Sequence, residues 1–450
     1  MVKKAIISCG LAAILILSFV FVKRTYFPAR PPDHIISELP ELFGNKALKK
    51  GTGYLITNVS IIPMNVDTLL TGQDVLIKDG VVKQIQQTNS YADTSQVIRI
   101  DGTGRFLIPG LNDMHVHIND ENSLLLFIAN GVTTIRNMVG YDYHLVLKDK
   151  INGQRILGPT MYTTGAILEG SRPVWDFSTV VTTKAEATDA VLTCKQQGFD
   201  FVKVYHTLPD NLYRQILRTA DSIDIPVVGH IPFDLKLEGT LSLTPYTLEH
   251  IDIRPIDENI SLENKEKMIG MSGKWICPTL VVLRNLQRDP DDTSLHRNYA
   301  KYVDEKTRAY WDSRYWKGES VFELQKEMAK QIFANGGRFI AGTDCLNPYV
   351  LAGFSIHEEL QEMVNAGLSE FDVLQAATIR PAEMLKRDHL IGTVQQGKIA
   401  DLILLDGNPL DDINNTTKIG GVMVKGRWFG ADELNDMLYA VEKAHRKAMP

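Results

Sequence analysis

Eight short apolar runs, each followed by a stretch with helical spacing, limit this chain to few architectures. They are the run ending at His115, Val132-Thr-Thr-Ile-Arg136, Thr160-Met-Tyr-Thr-Thr164, Phe201-Val-Lys-Val-Tyr205, Ile225-Pro-Val-Val-Gly229, Thr247-Leu-Glu-His250, Trp275-Ile-Cys-Pro-Thr-Leu280 and Arg338-Phe-Ile-Ala-Gly342. Apolar strands alternating with amphipathic helices predict the α/β class, and eight of them predict a parallel (β/α)8 barrel of TIM type. Before and after this stretch the pattern changes. Runs such as Tyr54-Leu-Ile-Thr-Asn-Val59 and Asp74-Val-Leu-Ile-Lys78 alternate, and Asp79-Gly80 is a hairpin signal between Lys78 and Val81. Ala400 to Leu405 and Gly421 to Lys425 are strand-like as well, so both chain ends are expected to build one small β-sandwich.

Polar residues close several of the apolar runs. His115 and His117 stand in Pro109-Gly-Leu-Asn-Asp-Met-His-Val-His117, Lys203 in Phe201-Val-Lys203, His230 after Val228-Gly, His250 after Leu248-Glu, and Asp344 in Ala341-Gly-Thr-Asp344. Residues i and i+2 of a strand share a face, so His115 and His117 can grip one cation. A lone His-x-His pair is weak evidence for a metal. The same pair followed in order by Lys203, His230, His250 and Asp344 reads as one metal site, at the strand ends where barrels of this type carry their active sites. Lys203 cannot ligate as an ammonium, and its apolar neighbours should lower its pKa. An ion pair for Lys203 across the barrel, and a packed His250 hydrogen-bonded to Glu249, are the competing readings.

These motifs resemble the amidohydrolase superfamily, in its branch similar to imidazolonepropionases and Xaa-Pro dipeptidases. The likeness runs from about Leu55 to about Trp428. It includes Gly397-Lys-Ile-Ala-Asp-Leu-Ile-Leu-Leu405, Gly421-Val-Met-Val-Lys-Gly426, and Asp344 through Gly353-Phe-Ser-Ile-His-Glu-Glu-Leu360. The resemblance implies two divalent ions, zinc foremost, bridged by an N6-carboxylated Lys203. His115, His117 and Asp344 would hold one ion, and His230 and His250 the other. Together the ions would activate a bridging hydroxide, with Asp344 as the catalytic proton carrier between the attacking water and the leaving nitrogen. The implied activity is hydrolysis of a carbon–nitrogen bond, a linear or cyclic amide, in a small molecule. Dipeptidases of this branch often carry a tyrosine two residues after the fifth-strand histidine to hold the peptide carboxylate; here that residue is Pro232. An Xaa-Pro or other dipeptidase is therefore the second reading, with Arg172, Lys236 or Arg254 as the cation. A membrane-tethered ligand-binding protein without turnover is the reading from another class.

Composition bears on partners. A 450-residue chain with 44% hydrophobic and 23% charged residues suits a globular catalytic body, and a net charge of −6 argues against a nucleic-acid partner. The four cysteines, Cys9, Cys194, Cys277 and Cys345, lack the spacing of a disulfide framework or a zinc knuckle. Cys345 follows Asp344, and the strand alternation predicts that it points away from the site. Near the N-terminus, Ala5 to Val22 is free of charge and flanked by Lys3, Lys4, Lys23 and Arg24. As a helix it would reach roughly 27 Å, close to a bilayer core. No small-residue cleavage site follows it, so an uncleaved anchor precedes a cleaved signal among the readings, with the catalytic body outside the cytoplasm, in the periplasm. The expected organisation is an anchor or signal segment at 1–30, a spacer at 31–50, the composite sandwich at 51–108 and 391–430, the barrel at 109–390 and an amphipathic helix at 431–450. Oligomeric state is left open.

Overall fold

The computed structural model describes residues 35–45, 53–88, 97–233, 235, 237, 246–251, 259–288, 300–313 and 320–447. The anchor or signal segment expected at 1–30 lies outside the described residues. Among those that are described, no helix is long and apolar enough to cross a membrane. Part of the stretch expected as a spacer is packed against the body. The helix Leu39–Asn45 buries Phe43, and Ile35 N donates to Asn119 O at 2.7 Å.

Two sheets organise the described chain. The first begins with β1 (Gly53–Ile61), β2 (Leu70–Lys78), β3 (Val81–Gln87), β4 (Val97–Asp101) and β5 (Phe106–Pro109). The hairpin between β2 and β3 turns on Asp79 and Gly80, with φ of 52° and 76°. Both central residues at positive φ match the right-handed twist of the flanking strands. The early part of β1 pairs in parallel with β4, and its end pairs with β5.

The second sheet contains β6 (Leu111–Val116), β7 (Val132–Asn137), β8 (Thr160–Glu169), β9 (Thr179–Val180), β10 (Phe201–Val204), β11 (Val227–Gly229), β12 (Thr247–Glu249), β13 (Trp275–Cys277) and β14 (Arg338–Phe339). Its order is β14-β13-β12-β11-β10-β8-β7-β6, all pairs parallel, with the short β9 beside β8. The sheet curls far enough for its two edges to bond. Met114 N donates to Ala341 O at 2.9 Å, and Asp344 N donates to His115 O at 2.7 Å. The chain then returns to the first sheet through β15 (Leu402–Leu405), β16 (Ile419–Val424) and β17 (Arg427–Gly430), with β15 antiparallel to β5. One eight-stranded sheet thus draws on both ends of the described chain.

Helix signals set how strands enter the curled sheet. Thr183 and Glu186 form a reciprocal cap on the helix Lys184–Gln197, and Gly198 at φ 92° ends it, so the chain turns directly into β10 and Lys203. As the periodicity predicts, the helix Ala431–Lys447 buries Leu434, Met437 and Val441; it packs on the helix Ser123–Ala129.

Where the sheet edges meet, backbone approaches side chain with no slack. A Cβ on Gly342 would stand 2.4 Å from Cys277 Sγ and 2.8 Å from His115 N. Gly342→Ala is therefore expected to lower unfolding stability by about 1–3 kcal/mol, the usual cost of overpacking. Urea denaturation measures it; an unchanged midpoint would show that the closure has room to spare.

Candidate metal centre

Strand geometry delivers the six polar residues to one place. His115 is on β6 and His117 one residue past it; Lys203 is on β10; His230 and His250 directly follow β11 and β12; Asp344 lies just beyond β14. All six line a single cavity of about 570 Å³. His250 and Asp344 hold φ of 66° and 59°, a left-handed conformation that a non-glycine residue adopts at a cost of about 1–3 kcal/mol. Each is tied there by its backbone N–H, His250 to Cys277 O at 2.8 Å and Asp344 to His115 O at 2.7 Å. The turn aims both side chains back over the sheet end.

Hydrogen bonds fix which ring atom each imidazole presents. His115 Nδ1 meets Glu249 Oε2 at 2.8 Å, His230 Nδ1 meets His206 Nε2 at 2.8 Å, and His250 Nδ1 meets Thr279 Oγ1 at 2.6 Å. In all three, Nδ1 is engaged and Nε2 is left for the cavity. Burial lowers the pKa of His115 to about 3 and that of His230 well below its ordinary value, so both are neutral donors of a lone pair at physiological pH. His117 Nε2 lies 2.9 Å from Asp344 Oδ1, His115 Nε2 lies 3.4 Å from the same oxygen, and His250 Nε2 lies 3.9 Å from Oδ2. Burial would raise the Asp344 carboxyl, but His115, His117 and His250 together hold it well below the usual carboxylate range. Imidazole nitrogens and a carboxylate crowded this closely suit a cation, and His115, His117 and Asp344 offer ligand atoms all within 4.8 Å of one another. The rings of His230 and His250 pack 4.6 Å apart beside them.

Lys203 is buried, and desolvation lowers its pKa to about 8. Glu249 and Asp344 are the carboxylates whose charges offset part of that desolvation, though neither is ion-paired with it among the described residues. The competing reading of His250 fails: Glu249 bonds His115, whereas His250 bonds Thr279.

Three functional neighbours were not singled out from sequence. Arg136 on β7 reaches across the interior to Glu249 Oε1 at 2.7 Å, and Glu249 in turn holds His115. Burial would raise the Glu249 carboxyl, but the Arg136 guanidinium and the His115 bond outweigh it and keep it ionised. A signal existed: opposite charges inside two apolar runs are rarely buried unless they pair. Thr279 gave no such sign, because its role depends on a left-handed turn at φ 49°.

Other polar and aromatic residues near the strand ends differ in where they stand. Tyr205, His206 and Trp175 all line the cavity, and His206 stacks on Phe233 with centroids 4.2 Å apart. Within the aromatic stretch from Tyr299 to Trp316, Tyr310 lines the cavity, while Trp311 is buried and donates from Nε1 to Leu346 O at 3.2 Å. Tyr299, Tyr315 and Trp316 lie outside the described residues. His357 is structural, bonded to Thr416 Oγ1 at 2.9 Å and Asn130 O at 3.2 Å. Cys345 is buried and does not line the cavity. Arg172 is exposed away from it, and Lys236 and Arg254 lie outside the described residues.

Residues 106–429 match the model of the Amidohydrolase family. Adenine deaminase 2 of Shouchella clausii is 23% identical over 372 residues, covering 78% of this chain and 55% of that protein. The chain thus spans about half the length of that relative. Among solved structures, bottromycin amidohydrolase superposes with a TM-score of 0.74 at 23% identity, covering 94% of this chain and 96% of that one. A putative prolidase from Bifidobacterium longum gives 0.68 at 23% identity, with 87% and 99% covered. The chain belongs to the amidohydrolase family.

If Glu249 sets the ring orientation of His115, Glu249→Gln should weaken divalent-metal binding by about 10–100-fold, the usual loss when a group behind a metal-binding histidine is changed. Competition with a chelator reads this. Unchanged affinity would show that His115 needs no such support.

Proposed function

We propose that this chain is a metal-dependent hydrolase that cleaves a carbon–nitrogen bond, a linear or cyclic amide, in a small molecule. The observation that carries the reading is the convergence of His115, His117 and His250 on the buried carboxylate of Asp344, with the rings of His115 and His250 each held at Nδ1. Family membership and the names of its relatives, a deaminase, an amidohydrolase and a prolidase, support the same bond class. In this reading the curled sheet is the catalytic (β/α)8 barrel and the sheet from both ends is the family's β-sandwich, with the domain limits expected from sequence.

His115, His117 and Asp344 would hold one divalent ion, His230 and His250 a second, and carboxylated Lys203 both. Zinc suits this donor set of imidazole and carboxylate. Bound there, two such ions would polarise the substrate carbonyl and lower the pKa of water. The protein's own contribution starts with Lys203. Its depressed pKa keeps a share of the amine neutral, the form that adds to carbon dioxide, and the apolar strand around it shelters the product. Asp344 then accepts the proton of the attacking water and passes it to the leaving nitrogen.

A dipeptidase remains the second reading, supported by the likeness to the prolidase fold. Against it, the described cavity lining offers Lys203 as its lysine and no arginine for a peptide carboxylate, and Pro232 stands where the tyrosine would be. A non-catalytic binding protein would keep the cavity and hydrolyse nothing. Dipeptides, lactams and N-acyl compounds tested together separate the three. The N-terminal anchor and a periplasmic catalytic body belong to the proposal as well, on the strength of the charge-free run from Ala5 to Val22.

Purified protein should carry close to two divalent ions per chain by elemental analysis. Lys203→Ala should lose both ions and activity, with partial rescue by a short carboxylic acid. A single ion that survives Lys203→Ala would overturn the bridged arrangement.

Asp344→Asn should lower kcat by roughly 10²–10⁴, the scale of general acid–base catalysis, with the fold retained. Near-native turnover on the best substrate would exclude Asp344 as the proton carrier.

A further inference from the structure

The cavity has two unlike halves. Around the curled sheet, β8 and β13 stand on opposite sides. On the β8 side Trp175, Phe177 and Tyr205 line it beside Ile167, while Tyr310 comes from the helix Glu305–Asp312 between β13 and β14. Trp175 and Phe177 stack with centroids 5.6 Å apart. Their loop is fastened by Glu169, which accepts from Val174 N at 3.0 Å, Trp175 N at 3.2 Å and Ser178 Oγ at 2.6 Å. This wall is built, not draped.

On the β13 side, Tyr310 apart, the lining is mostly aliphatic. Ile251, Ile269, Ile276, Leu283, Leu286 and Ile332 line the same cavity as the metal-binding set. Ile269 belongs to the helix Leu262–Gly270 and Ile332 to the helix Phe322–Ala334, both in the layer outside the sheet. The cavity therefore passes from the strand ends into the space between sheet and helices. No charged side chain among the described residues lines that half beyond the candidate centre itself. An aliphatic slot opening on a polar centre fits a ligand with a flexible hydrocarbon tail.

We infer that the substrate is an N-acyl amide whose medium-to-long straight acyl chain fills the aliphatic slot, with its carbonyl carbon at the candidate centre and an uncharged, flat amine half against Trp175 and Phe177. This deepens the hydrolase reading of the preceding subsection and rests on it. In the reaction, the amide C–N bond breaks. Water gives its oxygen to the acyl carbon and a proton to the leaving nitrogen, so a fatty acid and a free amine are released.

The test uses the metal-loaded full chain and a series of acetyl, octanoyl and dodecanoyl para-nitroanilides, whose released amine is coloured. Each fully buried methylene is worth about 4-fold, so even partial seating of the chain should raise kcat/KM by at least roughly 100-fold from acetyl to dodecanoyl. Leu286→Trp, at a half-buried position of the slot, should cut the dodecanoyl-to-acetyl ratio by roughly 10-fold, since it shortens the slot. Calorimetric titration with sodium dodecanoate should show binding that Leu286→Trp weakens, and a thermal melt confirms that the variant folds. Hydrolysis indifferent to chain length would overturn the acyl slot and leave the hydrolase intact. No hydrolysis of any anilide together with no dodecanoate binding would also overturn it. In that case ion content and turnover on dipeptides and lactams decide separately whether the hydrolase reading stands.

Discussion

A buried ion pair in the middle of the curled sheet, Arg136 with Glu249, holds the rest of the candidate centre in place. Both side chains are fully shielded from water, a costly arrangement unless every polar atom is used. Arg136 meets that demand. It donates to Met114 O at 2.6 Å, Thr247 Oγ1 at 2.9 Å and Glu249 Oε1 at 2.7 Å. Glu249 has its second oxygen left for His115. One guanidinium thus joins β6, β7 and β12, and through Glu249 it decides which nitrogen of His115 faces the cavity. Replacing the pair by apolar residues could preserve the sheet, but the orientation of His115 would be lost with it.

The candidate ligands sit where strands stop, and the manner of stopping matters. His250 and Asp344 are left-handed residues at the exits of β12 and β14. An extended exit would send each side chain along the strand's own alternation, toward the sheet or away from it. The reversal frees the side chain from that alternation and tips it over the centre. Backbone bonds to Cys277 and His115 hold the strained turns, so the sheet itself supplies the restraint.

Much of this was legible in the amino-acid sequence, and the part that was not has physical causes. Strand ends announce themselves when an apolar run terminates in His, Asp or a lysine that has no reason to be there, so all six candidate ligands could be named. Their partners could not. Glu249 was placed beside His250 because the two are adjacent in the chain, but adjacent residues on a strand face opposite sides, and its partner came from β6. The last strand of the curled sheet was read through Gly342, whereas β14 ends at Phe339; Ile340 N still bonds Ile276 O of β13, and only Ala341 O and Asp344 N turn to β6. The aliphatic slot left no trace in the sequence, since Ile269 and Ile332 follow the same helical spacing as any core residue. A cavity is a property of what fails to touch, and periodicity records only what points inward.

The sheet that unites both ends of the chain has a consequence for how the protein is made. β5 lies at the entrance to the parallel sheet, and its partner β15 is encoded after that whole sheet. On a ribosome, β1 to β5 emerge before the parallel sheet, and β5 presents an unpaired edge until the whole of that sheet has been synthesised. Unpaired strand edges invite association with other chains. The protein's most vulnerable state is therefore a long nascent one, with its first sheet waiting for the last strands to arrive and cover it.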